Sequence, residues 1–411
     1  MTGRPRIAVL SDWWWPDAAG GAELAARDAA YHLAEHADVA VFVPAATDRR
    51  YADGPLRVHA VRRPFARRIH ADSRFRRVIE LLSGWLLPFV AARQARRIRA
   101  FGPDVVLAHN VSRTGPWLVN WVRSRGLRFV RVQHDLSDTC WRRTRLRGDR
   151  TCATVCGSCR IKVGVLRRAN PDHAVNVCVS GFVRDQLIDA GLAAADRSVV
   201  GYPLPDLLAR PSPPRRGDGV VLGYLGRLAA VKGVLAAVRT AAAFQRLTGQ
   251  DVSLLAAGEG RPEFLAELTR LAAQESIEVR LAGRMSVDAF CAEVDAVLVP
   301  STLMEAFGRV VVEAATRGRP VLLAPVGGLP EAAAVSGGHC AFADFSDPVQ
   351  AAHALRELLT EAKTPRPAHP PAGPGCARIG PAAPLLAEAT DLALRRVTGL
   401  PPHRGTGAAG R

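Results

Sequence analysis

The chain has 411 residues, 55 Lys and Arg against 38 Asp and Glu, a formal charge of +17 and 48% hydrophobic residues. It is too long for one ordinary core and suits two domains of about 150–200 residues, each apolar enough to bury a sizeable interior. Eight cysteines in this length, with no export signal in view, argue against a disulfide framework.

The charge is uneven. Up to Arg210 there are 34 basic and 19 acidic residues; the remainder has 21 and 19. The first half is the electropositive one, which points to an anionic partner there, such as membrane lipid or an anionic acceptor. No nucleic-acid-binding module is recognisable, so nucleic acid is not an expected partner. The opening MTGRPRIAVLSDWWW has an apolar run of only four before Ser11, too short for a signal core. Trp85–Ala92 falls far below the ~20 residues of a membrane span. The expected location is cytoplasmic, peripheral at the inner face of the cell membrane.

In chain order, Ile7–Leu10 reads as a strand ending in a polar, Gly-rich loop, Ser11–Gly21. A helical pattern follows at Leu24, Ala25, Ala29 and Leu33, then a strand at Val39–Val43, which is a right-handed βαβ unit. Further strands are expected at Val58–Val61, Val105–Ala108, Phe129–Gln133 and Val175–Val179, with a long helix at Arg76–Ala100 and another from Ser180 to Ala190. Residues 203–218 are Pro- and Arg-rich and read as a linker. A second series then alternates: strand Val220–Tyr224, helix Val234–Thr248, strand Ser253–Ala257, helix Glu263–Gln274, strand Val279–Leu281, helix Val287–Val294, strand Ala296–Val299, helix Gly308–Arg317, strand Val321–Ala324.

The resulting expectation is an N-terminal domain over 1–205 with a Cys- and Arg-rich insertion at 138–168, and a linker at 206–218. A C-terminal domain follows over 219–363, then a Pro/Ala/Gly-rich tail over 364–411 with a helix at 385–397. Two alternating β/α series imply two doubly wound domains, with ligands at the carboxyl ends of their strands.

The densest chemistry lies in PSTLMEAFGRVVVEAATRGRPVL, residues 300–322. Glu305 sits in a loop after a strand, and Ala306-Phe307-Gly308 open a helix that carries Glu313. A helix start offers unpaired N–H groups suited to a diphosphate, and Gly308 gives a ligand close access to the backbone. Two glutamates eight apart decide nothing alone; a solvated surface helix fits them equally well. Context shifts the balance. Gly226-Arg227 follow a strand and Lys232-Gly233 open the next helix, which makes a natural phosphate clamp. Lys232 is the only Lys between Lys162 and Lys363 in this Arg-biased chain.

The ordered set Gly226-Arg227-Leu228, Lys232-Gly233, Gly258-Glu259-Gly260, Pro300-Ser301, Glu305, Phe307-Gly308, Glu313, Gly318, Pro320-Val321, Gly327-Gly328 and Glu331 resembles the C-terminal domain of family-4 retaining glycosyltransferases (group 1, GT-B fold). The resemblance covers about residues 220–335. The first half is similar more loosely, at Pro16 with Gly20-Gly21-Ala22-Glu23, at His109, at His134-Asp135 and at Ser180.

That resemblance implies two Rossmann-like domains facing across a cleft, and transfer of a hexose-type sugar from a nucleotide-diphosphate donor with retention at the anomeric carbon. It implies that Arg227 and Lys232 bind the diphosphate, that Glu313 holds the ribose hydroxyls, and that Glu305 contacts the donor sugar with the N–H groups of Phe307 and Gly308. Gly226, Gly258 and Gly260 would line the donor site. His134 would sit near the reacting centre and the Gly20-Gly21 loop under the phosphates. No cofactor or catalytic metal is implied; the cations stabilise the leaving diphosphate. The acceptor is not identified; a lipid-linked one is a candidate, as in glycan or cell-envelope biosynthesis. A sugar-nucleotide epimerase on the same fold and a degenerate sugar-nucleotide-binding subunit remain alternatives.

Two features stand outside this set. Cys140, Cys152, Cys156 and Cys159 form C-x11-C-x3-C-x2-C, a candidate structural zinc site, with free thiols or redox pairing as alternatives. The stretch Arg62–Arg99 mixes arginines with Phe65, Phe75, Trp85, Leu86, Leu87 and Phe89. It reads equally as a membrane-surface segment or as a core helix with solvated flanks.

Overall fold

The computed structural model describes residues 4–17, 21–63, 74–110, 113, 115–147, 150–152, 154–203, 211–362 and 385–398. The chain divides into two compact units. The first comprises Met1–Arg143, Cys152–Pro203 and Pro384–Arg411; the second comprises Thr144–Thr151 and Leu204–Ala383.

The elements up to residue 200 run β1 (Arg6–Leu10), α1 (Gly21–Ala34), β2 (Asp38–Ala45), β3 (Arg49–Asp53), β4 (Leu56–Arg62), α2 (Arg74–Leu86), α3 (Phe89–Phe101), β5 (Val105–Ala108), α4 (Pro116–Ser124), β6 (Arg128–Gln133), the hairpin strands β7 (Leu146–Arg147) and β8 (Arg150–Thr151), α5 (Gly157–Ala169), β9 (Val175–Cys178), α6 (Gly181–Asp189) and β10 (Ser198–Val200). Eight strands form one sheet in the order β10-β9-β6-β5-β1-β2-β4-β3. All pair in parallel except β3, which lies antiparallel on β4 at the edge. The central strands are apolar on both faces, as a helix-covered parallel sheet requires: β5 and β9 are buried at every residue. Leu10, Phe42, Ile98, Val106 and Phe129 join in its core.

The single helix expected over Arg76–Ala100 is two. Pro88 separates α2 from α3, because proline lacks an N–H and its ring restricts the residue before it.

The second series is β11 (Val220–Leu225), α7 (Val234–Thr248), β12 (Val252–Ala257), α8 (Pro262–Gln274), β13 (Glu278–Gly283), α9 (Val287–Ala292), β14 (Ala296–Val299), α10 (Arg309–Ala315), β15 (Val321–Leu323), α11 (Leu329–Ser336), β16 (Cys340–Phe342) and α12 (Pro348–Glu361). Its sheet has the order β13-β12-β11-β14-β15-β16, all parallel. Helices α7 and α12 close one face, with Phe244, Leu254, Leu298 and Leu355 in the core.

The last helix, α13 (Leu386–Thr398), belongs to the first unit. Leu386, Ala389, Thr390, Ala393 and Leu394 are buried, and the helix packs against α1, β6 and β9. His36 Nε2 lies 3.0 Å from Asp391 Oδ1, and Leu386 N donates to the Tyr202 carbonyl at 2.9 Å. No described helix is long and apolar enough to cross a membrane.

Both sheets reverse their winding direction at one point. In the first, β2 and β5 flank β1; in the second, β12 and β14 flank β11. Loops that leave the carboxyl ends of such neighbours diverge and open a crevice, the usual ligand position in this architecture.

Candidate active site

In the second unit, the loops at the reversal point are knitted by backbone. Gly226 N donates to Ala257 O at 2.9 Å, Leu228 N to Glu259 O at 2.8 Å, and Gly258 N to Gly283 O at 2.6 Å. A Cβ on Gly258 would stand 1.8 Å from the Gly226 carbonyl oxygen, and one on Gly260 2.8 Å from that of Leu228. These glycines therefore bring two loops into contact. The Tyr224 hydroxyl donates to the Arg227 carbonyl at 2.9 Å, which pins the turn that presents Arg227. Burial pushes that phenol well above its ordinary range, with the Glu305 charge adding to the effect, so it stays a neutral donor. The Arg227 side chain is exposed.

Lys232 ends a short 3₁₀ turn, and Gly233 caps α7 at φ 77°. Gly233 is packed so closely that a Cβ would meet the Pro300 carbonyl oxygen at 1.8 Å. Pro300 heads the loop after β14, so the lysine and the acidic segment are brought together by backbone proximity. Lys232 Nζ lies 2.6 Å from Glu305 Oε1, and Ser301 Oγ donates to the same oxygen at 2.6 Å. Both contacts converge on Oε1. The Lys232 and Glu305 side chains are 26% and 16% exposed, so the pair is reachable from solvent. The Glu305 loop is held from behind: Gly328 N donates to Glu305 O at 2.8 Å, and a Cβ on Gly327 would fall 2.2 Å from that oxygen.

Helix α10 is seven residues, shorter than expected, and starts after Gly308 at φ 102°. A side chain there would meet Leu329 Cδ2 at 2.3 Å, so the absence of a Cβ lets Leu329 pack against this turn. The Phe307 side chain is buried and anchors the turn. Glu313 is paired within its helix: Arg309 Nη2 lies 3.1 Å from Glu313 Oε1. Sequence reading singled out Glu313 and overlooked Arg309, although the i,i+4 spacing of opposite charges was in view.

In the first unit, the carboxyl ends of β1, β5 and β6 carry Asp12, His109 and His134. His109 Nδ1 and His134 Nε2 are 2.8 Å apart, with rings 5.1 Å between centroids. Only one proton fits between the facing nitrogens. Full burial and the neighbouring His134 hold His109 well below the ordinary imidazole range, so it stays neutral. Asp12 Oδ1 accepts from Arg113 N at 2.9 Å, while Arg113 pairs with Glu80 Oε1 at 2.6 Å and stacks over Trp13 at 3.7 Å. Arg143, at φ 63°, has Nη2 3.9 Å from Asp12 and Nη1 3.6 Å from Asp135. Burial, then the Asp12 and Asp135 charges, raise the Glu23 carboxyl on α1, against the opposing pull of Arg143. Three carboxyl groups thus gather around one arginine beside the histidine pair. Gly21 opens α1; Gly20 lies outside the described residues. Sequence reading found His109 and His134 but not Asp12, Arg113 or Glu80, because those contacts join residues 33 to 101 positions apart.

Buried polar and cation–π contacts hold the cysteine-bearing loop. Among the described residues no group of three or more His, Cys, Asp or Glu is arranged to hold an ion, so the candidate zinc site at Cys140, Cys152, Cys156 and Cys159 is not supported. The staple is Lys162 instead. Its buried ammonium donates to the carbonyls of Ser137 and, at 3.4 Å, Cys140, and lies 4.6 Å over the Trp141 ring. Arg131 pairs with Asp138 at 2.6 Å, both buried, and Gln133 completes that carboxylate at 2.9 Å.

Comparison with known proteins agrees with this architecture. Residues 208–369 match the family model for glycosyl transferases group 1. A Klebsiella pneumoniae protein described as an uncharacterized 42.6 kDa protein in the cps region is 32% identical over 163 residues. That match covers 38% of this chain and 40% of the Klebsiella protein. Among solved structures, Anabaena HepE in complex with UDP superposes with a TM-score of 0.61 at 17% identity, covering 95% of each chain. Trehalose-6-phosphate synthase OtsA gives 0.62 at 12% identity over 96% of each chain. A lipopolysaccharide outer core galactosyltransferase, WaaB, gives 0.58 at 15% identity over 86% of this chain and 90% of its own. At such identities the likeness speaks for the fold alone, the GT-B fold, while the match to the glycosyl transferases group 1 model covers residues 208–369, less than half of the chain.

Proposed function

We propose that the protein transfers a hexose-type sugar from a nucleoside-diphosphate donor to an acceptor hydroxyl, with retention at the anomeric carbon. The observation that carries this reading is the Lys232–Glu305–Ser301 constellation at the reversal point of a parallel sheet, with Arg227 presented from the adjoining loop. Two cations at that position suit a diphosphate, and a carboxylate held by one oxygen can accept hydroxyl groups with the other. In the reaction, the bond from the anomeric carbon to the diphosphate breaks and the diphosphate keeps the electron pair. The acceptor oxygen bonds to the same carbon and gives up its proton to an oxygen of the departing diphosphate. Arg227 and Lys232 stabilise the charge that develops on the leaving group, and Glu305 orients the sugar. Glu313 holds the ribose, and His134 and its His109 partner serve the acceptor side. Uridine is the proposed base, since HepE was solved with UDP and with UDP-glucose. The relative from a cps region supports an envelope-glycan acceptor, lipid-linked, handled at the cytoplasmic membrane face.

The test is release of free nucleoside diphosphate from a panel of nucleotide sugars, with and without lipid-linked acceptors, and NMR of the product's anomeric proton. Lys232→Ala and Glu305→Ala should each lower turnover at least 100-fold. Intact turnover in both variants refutes the site. Binding without turnover on any acceptor points to a degenerate subunit, and acceptor-free interconversion of the donor sugar points to an epimerase.

A further inference from the structure

Helix α2 and the start of α3 present an apolar edge to solvent. Leu82 and Leu86 stand one turn apart on α2 and are 49% and 67% exposed; Phe89, which opens α3, is 60% exposed. Single exposed leucines are ordinary, but three large apolar side chains exposed within residues 82–89 are not. Trp117 of α4 adjoins them, half-exposed, its indole N–H donating to the Trp85 carbonyl at 3.0 Å.

The row runs into a cationic pocket of about 280 Å³, lined by Arg62, Phe89, Val90, Arg93 and Arg96. Phe89 belongs to both. Arg62, Arg93 and Arg96 are exposed. Among the described residues Asp48 faces them: it accepts from Arg62 N at 2.8 Å and lies 2.8 Å from Arg93 Nη2. The Arg62 backbone bond, and then Arg93 and Arg97, hold that carboxyl below its usual range, so it is charged and offsets one of the three guanidinium groups lining the pocket. The local balance stays positive, in the half of the chain that carries nearly all of the net charge.

We propose that this edge is a membrane-docking surface, in which Leu82, Leu86 and Phe89 enter the interfacial zone of a bilayer while Arg62, Arg93 and Arg96 engage the phosphates of anionic lipid headgroups. An apolar row bordered by guanidinium groups is the pattern of a helix that lies in the plane of a membrane surface. Guanidinium forks match phosphate geometry, and anionic leaflets attract such groups. A protein partner would need a complementary apolar groove ringed with acid; a bilayer supplies apolar depth and anionic charge together. The inference does not depend on the catalytic reading, since vesicle binding needs no donor or acceptor.

The experiment is co-sedimentation of the full chain with vesicles of phosphatidylcholine alone and of phosphatidylcholine with phosphatidylglycerol, at 0.1 M salt. Binding is expected only to the anionic vesicles. Arg93→Gln/Arg96→Gln should weaken it about 30-fold, the loss of two surface charges. Leu86→Ser/Phe89→Ser should weaken it at least 10-fold, with unchanged thermal melting for both exposed double variants. Inorganic phosphate at 10 mM should leave vesicle binding in place; release by it would mean a site for free phosphate, and overturns the proposal. So would equal binding of wild type and both variants, or no sedimentation with anionic vesicles.

Discussion

Gly233 and Gly249 sit at opposite ends of α7 in nearly the same left-handed conformation, φ 77°, ψ 13° and φ 66°, ψ 9°. Their surroundings differ completely. A Cβ on Gly249 meets nothing within 4 Å, while one on Gly233 falls 1.8 Å from the Pro300 carbonyl oxygen. Replacing each by alanine therefore separates backbone strain from loop approach. Gly249→Ala should cost only the strain of an L-residue at positive φ, about 1 kcal/mol, or roughly 2–4 °C in melting temperature. Gly233→Ala carries the same strain and must also drive Pro300 back by about 1.5 Å to reach ordinary contact near 3.4 Å. Overpacking of that kind adds about 1–3 kcal/mol, for a total near 2–4 kcal/mol. Because Pro300 heads the loop that places Glu305 on Lys232, the same shift should cost about 100-fold in kcat/KM. Thermal melting followed by circular dichroism reads the first quantity, and initial rates of diphosphate release read the second. Equal losses in the two variants, in stability and in rate alike, would refute the claim that Gly233 exists to bring these loops together.

Three further outcomes are expected. His109 is neutral in the folded chain and takes a proton once unfolded below its ordinary value of 6.5, so the unfolded state binds more protons there. Stability should therefore fall as pH drops below about 6.5, by at most ~1.4 kcal/mol per unit, and His109→Gln should remove that component; parallel urea-denaturation profiles from pH 7.5 to 5.5 for both proteins would contradict it. Asp138→Leu leaves Arg131 buried without its carboxylate, which should cost about 3–5 kcal/mol in chemical denaturation, and Arg131→Met added to it should recover most of the loss. A chain ended after Ala362 lacks α13 and uncovers apolar surface on β6 and β9, so the first unit should become protease-sensitive while the second keeps a cooperative transition; equal resistance of both chains would show α13 to be dispensable.

The parallel sheets were legible because their strands are buried on both faces and read as continuous apolar runs, such as Val105–Ala108 and Ala296–Val299. The edge strands of the first sheet were not. Arg49–Asp53 and Ser198–Val200 are short and largely charged or half-exposed, so their pairing comes from the neighbour and leaves no pattern. Helix α12 was readable and passed over: Asp347 caps it, accepting from Val349 and Gln350 N–H, with Pro348 at the first turn. In the second unit the meeting of Lys232 and Glu305 was legible as a motif, since each follows a strand end. What the motif hid was the purpose of its glycines, which serve loop against loop at Gly233, Gly258, Gly327 and Gly328. The polar network of the first unit gave no local signal, because each of its pairs is assembled only by the sheet order.

Helix α13 has a consequence in time. The chain leaves the first unit at Pro203, spends residues 204–383 elsewhere, and supplies the cover for β6 and β9 only at its end. At about 5–20 residues per second, a ribosome needs roughly ten to forty seconds to make that excursion. During that interval the first-made half waits on the ribosome with an apolar face open, while the later-made half can complete itself at once. Order of synthesis and order of completion are thus inverted.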